Sequence, residues 1–77
     1  MEKPYKKILV KELPIRLGQF LKLADLVQDG FEARIKIQEG QVMVNGLLET
    51  RRGKKLFPLD TVTVDGKTLI VGESEDL

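Results

Sequence analysis

Two dipeptides do most to limit what this chain can fold into. Asn45-Gly46 and Asp65-Gly66 each lie between short runs in which apolar residues alternate with polar ones. Asn-Gly and Asp-Gly are the preferred centres of two-residue type I′ turns, because both central residues there take a positive φ. Residues 41–44 and 47–49 then form one hairpin, and residues 61–64 and 67–71 a second. Ile8, Leu9 and Val10, flanked by lysines, predict a further short strand, which Pro14 ends.

Between that strand and the first hairpin the period changes. Leu17, Phe20, Leu21 and Ala24 fall on one stripe at 3.6 residues per turn, with Gln19 and Lys22 opposite. This predicts an amphipathic helix from Ile15 that ends before Gly30. Leu23 and Leu26 lie off the stripe, so the helix is expected to be covered on more than one side. Residues 31–39 predict a second helix, with Ala33 and Ile37 on its buried face and Gly40 as its stop. Asp29 and Glu32 suit its N-terminal end. The order of strand, helix, helix and two hairpins predicts an α+β domain with both helices packed on one face of a small sheet. Residues 72–77 form an acidic end that is expected to fray.

The chain has 77 residues, with no Cys and no His. That excludes disulfides, zinc fingers, thiolate nucleophiles and imidazole bases. The single Ser, Ser74, has no His partner for triad chemistry. Asp25, Asp29 and Glu32 read as helix-end charges rather than metal ligands. No apolar run approaches the ~18 residues of a membrane span, and the first ten residues lack a secretory pattern. The cytoplasm is the simplest address, with no cofactor and no membrane partner.

The net charge of +1 hides an uneven distribution: residues 34–59 sum to +4 and residues 60–77 to −4. An anionic partner meets local charge, because screening acts over about 10 Å. Arg51, Arg52, Lys54 and Lys55 put four cations in five residues around Gly53. Their mutual repulsion is relieved when phosphates approach. Arg34 and Lys36 on the second helix are a second candidate group, which Lys22 would extend. Gly46 to Lys54 is no phosphate loop, since six residues rather than four separate its glycines and Lys55 stands where Ser or Thr belongs. Phe20 and Phe57 both read as core, which leaves no stacking platform for unpaired bases. The chemistry thus favours phosphates and shape, the mode that suits structured RNA. An adaptor that uses the acidic end and exposed strand edges toward a protein is the alternative.

Arg16 to Asp65 resembles the S4 RNA-binding domain. The resemblance rests on Arg16-Leu17 with Phe20-Leu21, on Ala33-Arg34, Ile37 and Gly40, on the run Gln41-Val42-Met43-Val44-Asn45-Gly46, and on Pro58, Asp60 and Val62. Leu17 to Ala24 and Glu49 to Leu56 look like the small stand-alone bacterial members. It implies an S4-like fold of the αL type, with two helices beside a small, curved, mainly antiparallel sheet. Residues 14–72 would be the RNA-binding domain, preceded by an extension and short strand (residues 1–13) and followed by the acidic tail (residues 73–77). It also implies a non-catalytic protein that binds ribosomal or transfer RNA, in association with the ribosome or its precursors. Carried over residue by residue, the RNA surface would comprise Arg34, Lys36, Arg51, Arg52, Lys54 and Lys55, extended by Lys22 and Arg16. Three positions depart from the family pattern: Gly18 stands where Asp is common, Gly30-Phe31 where Ser-Arg is common, and Leu59 where Gly is common between Pro and Asp.

Overall fold

The computed structural model describes residues 5–74. The strands are β1 (Tyr5–Val10), β2 (Ile15–Arg16), β3 (Val42–Val44), β4 (Leu47–Leu48), β5 (Lys55–Leu56), β6 (Thr61–Val64) and β7 (Lys67–Glu73). The helices are α1 (Leu17–Leu23) and α2 (Gly30–Gln38), which follow β2. Five strands form one sheet in the order β1-β7-β6-β3-β4, and β2 pairs with β5 as a separate two-stranded ribbon. All pairings are antiparallel except β1 with β7, which run parallel from Tyr5↔Thr68 to Val10↔Glu73.

Both hairpins form where the sequence places them. Asn45 and Gly46 have φ of +53° and +80°, and Asp65 and Gly66 have +52° and +78°, the signs a type I′ turn demands. Period-two alternation gives the sheet its inner face: Val42, Val44, Val62, Val64, Leu69 and Val71 are buried. Leu17, Phe20 and Leu21 of α1 and Ala33 and Ile37 of α2 complete that core. Burial of such side chains, at about 25 cal/mol per Å² of apolar surface, is the main stabilising term.

Helix α2 matches its expectation within a residue. Asp29 caps it, its carboxylate accepting from the Glu32 N–H at 2.9 Å. Gly40, at φ +75°, ends it with two bonds, Gly40 N–H to the Ile37 carbonyl and Gln41 N–H to the Lys36 carbonyl.

Helix α1 is shorter than the stripe suggests, at both ends. Ile15 and Arg16 are extended, paired with Leu56 and Lys55 in β5. At the other end Asp25 takes φ +62°, and the N–H groups of Asp25 and Leu26 bond the carbonyls of Lys22 and Leu21. This is the bonding of a glycine-type stop, with an aspartate in the left-handed position. Leu23 is consequently 53% exposed, against the expectation that it is covered, whereas Leu26 packs against the core.

Two further expectations are corrected. Phe57 is not core: it is 52% exposed, whereas its neighbour Leu56 is fully buried. Gly72 and Glu73 are not frayed but belong to β7, opposite Leu9 and Val10. The rest of the acidic tail, residues 75–77, lies outside the described residues, as do residues 1–4.

Candidate functional site

The basic segment after the first hairpin is a loop held at both ends. On one side the Leu17 N–H donates to the Lys54 carbonyl at 2.8 Å and the Gly18 N–H to the Arg52 carbonyl at 3.0 Å. Arg16 adds a guanidinium bond to the Gly53 carbonyl at 3.1 Å. The opening N–H groups of α1, which have no partner within the helix, thus find acceptors in the loop. A Cβ at Gly18 would meet the Arg52 carbonyl oxygen at 3.6 Å, an ordinary contact, so the approach of loop to helix does not itself require glycine there. On the other side the Glu49 carboxylate receives the Arg51 guanidinium at 2.9 Å and the Arg51 N–H at 3.0 Å. These bonds, the side-chain one foremost, lower the Glu49 pKa to about 2.

Pinning the loop against α1 brings cations from three elements together. A hollow of about 390 Å³ lies between α1, α2 and the loop, and Arg16, Lys22 and Arg52 line it along with Gln19 and Gly30. Lys22 extends over the start of α2, its Nζ 4.0 Å from where a Gly30 Cβ would stand. A second, smaller hollow is lined by Arg34, Gln38, Thr50 and Arg52. A third, on the far flank of the loop, is lined by Arg51, Gly53, Lys54, Lys55 and Phe57. Arg52 is common to the first two hollows and Gly53 to the first and third, so the three adjoin. Seven cations line this band; Arg51 is paired with Glu49, and the residues lining the three hollows include no carboxylate. A neighbouring depression shares Gln19 and Lys22 with it but carries Glu12 beside Lys11.

The eight cations singled out in the sequence therefore divide. Arg16, Lys22, Arg34 and Arg52 converge on the side where the helices meet the loop. Lys54 and Lys55 lie on the loop's other flank with Arg51, which is engaged by Glu49. Lys36 stands apart, its ammonium bonded to Asp65 of the second hairpin at 3.1 Å. Sequence reasoning missed Gln19, Gln38 and Thr50, which contribute the uncharged polar groups of the hollows. The helical period did put Gln19 on the outer face of α1, but nothing local marks Thr50. No group of three or more potential metal ligands occurs among the described residues. None of their helices is long and apolar enough to cross a membrane.

This arrangement, two helices and a pinned basic loop on a mainly antiparallel sheet, is that of an S4-type domain. The chain belongs to the S4 domain family, which it matches over residues 8–72. It is 48% identical over 52 residues to RlbA of Bacillus subtilis (strain 168), named as a probable ribosome maturation protein, a match that covers 68% of this chain and 73% of that one. It is 38% identical over 63 residues to YbcJ of Escherichia coli (strain K12), covering 82% and 90%. The solution structure of E. coli YbcJ, described as revealing an αL motif involved in RNA binding, superposes with a TM-score of 0.64 at 33% identity, over 94% of this chain and 90% of that one.

Proposed function

We propose that this chain is a non-catalytic module that grips structured RNA by neutralising phosphates along the basic band. The observation that supports the reading best is the convergence of Arg16, Lys22, Arg34 and Arg52 where the helices meet the loop, with no carboxylate among the residues lining the two hollows there. Such a surface gains most from a partner that presents closely spaced anions on a rigid frame, as A-form RNA does. The helix pair sets the orientation of the grip and Gln19, Gln38 and Thr50 offer hydrogen bonds to sugar or phosphate. The name of the B. subtilis relative favours ribosomal RNA over transfer RNA as the target. Ribosome association in the cytoplasm accords with that.

Titration of a structured ribosomal RNA fragment at several salt concentrations tests this. Changing Arg51, Arg52, Lys54 and Lys55 together to Ala reduces the slope of log K against log salt by about 0.7–0.9 for each phosphate that is no longer neutralised. The Lys36→Ala variant keeps the slope of the parent protein. A folded quadruple variant with an unchanged slope refutes the assignment.

A further inference from the structure

We infer that Phe57 is a stacking platform for an unpaired RNA base, which adds recognition of a bulged or single-stranded nucleotide to the grip on phosphates. This rests on the RNA-binding reading above and deepens it.

Leu56, the last residue of β5, is fully buried, whereas Lys55 before it and Phe57 just after it are exposed, and both line the third hollow. Phe57 is held there by a tight turn: its N–H donates to the Asp60 carboxylate at 2.9 Å, and the Asp60 N–H returns to the Phe57 carbonyl at 3.1 Å. The carboxylate of Asp60 is further tied to the Asn45 amide at 3.1 Å. The ring is thus carried by a braced backbone and not by a loose loop.

An exposed aromatic side chain is by itself unremarkable. Its surroundings decide the matter here. Phe57 is the one apolar residue among those lining the third hollow, where Arg51, Lys54, Lys55 and Gly53 are the others. An apolar peptide that covered the ring would have to desolvate neighbouring ammonium groups for the sake of one apolar side chain. A nucleotide meets both demands at once: its base offers a π-face to the ring and its phosphate an anion to Lys54 and Lys55. A charged groove with an aromatic face is the general arrangement by which proteins hold unpaired nucleotides.

The test uses a fully paired 16-base-pair RNA duplex and the same duplex carrying a three-adenine bulge. The parent protein binds the bulged RNA more tightly than the duplex. Phe57→Ala weakens binding of the bulged RNA by about 5- to 100-fold and leaves duplex binding and the salt slope unchanged. Phe57→Leu, which keeps an apolar side chain without a π-face, loses nearly as much as Phe57→Ala. Phe57→Trp retains binding, and because the chain has no other Trp its emission reports the site directly, quenched by the bulged RNA and not by the duplex. Unaltered binding of the bulged RNA by folded Phe57→Ala, or full recovery in Phe57→Leu, overturns the stacking role and leaves the phosphate grip standing. Failure of the parent protein to bind either RNA overturns both.

Discussion

At the scale of single residues, Leu59 shows how this chain departs from its family's pattern. It occupies the position between Pro58 and Asp60 where glycine is common, and it keeps a backbone that suits glycine, with φ +78°. A β-carbon in that region costs roughly 1–2 kcal/mol. The side chain recovers little of this by burial, being 75% exposed. The conformation is imposed from outside: the Leu59 N–H donates to the Val71 carbonyl at 2.8 Å, while Asp60 is fixed by Phe57 and Asn45. Leu59→Gly therefore stabilises the fold by about 1 kcal/mol, net of the extra freedom glycine has when unfolded. In a domain of this size that raises Tm by about 4–8 °C, readable by calorimetry. A lower Tm would mean that the leucine side chain packs favourably against the fold. Phe57 teaches the complementary lesson. Within Leu56-Phe57-Pro58-Leu59 hydrophobicity alone marks every residue as core, and only the fold separates the buried Leu56 from the exposed side chains that follow it.

At the scale of elements, the turns are readable from sequence because their chemistry is local. Asn45-Gly46, Asp65-Gly66 and Gly40 need only their own backbone preferences to act. The limits of α1 are not, because they are set by partners distant in sequence. The stripe runs on through Ala24, yet β5 claims Ile15 and Arg16 and the carbonyls of Arg52 and Lys54 take up the first N–H groups of the helix. The same holds for Glu49, which composition presents as one acid next to a basic run. In the fold it anchors that run through Arg51. Its pKa is lowered from 4.5 to about 2, so the anchor stabilises the native state fully above about pH 5 and is lost as the pH falls toward 2. Glu49→Gln carries no such titration. Its thermal stability is therefore expected to fall less steeply than the parent's between pH 5 and pH 2, as followed by circular dichroism. Parallel curves for the two proteins would show that the carboxylate gains nothing from Arg51 on folding.

At the scale of the whole molecule, RNA binding depends on where charge collects. A net charge of +1 gives no hint of a polyanion partner. The regional imbalance does, and the fold sharpens it by pinning the loop of residues 51–55 against α1 and α2. It also reorders the candidates. Lys36, two residues from Arg34 on the second helix, is turned to Asp65, whereas Arg16 and Lys22, which the sequence offers only as extensions of the patch, line the hollow where the helices meet the loop. Periodicity places a side chain on a face of its own helix, but which neighbour that face meets depends on the packing of the rest of the chain.

The most direct test is a map of backbone amide shifts as an RNA duplex is titrated into the isotopically labelled protein. A grip along the basic band predicts that perturbations concentrate at residues 16–22, at Gly30 and Arg34, and across residues 50–55, with Lys36 and the β1 edge unmoved. Shifts confined to β1 and the outer strand β4, with residues 50–55 silent, would contradict it.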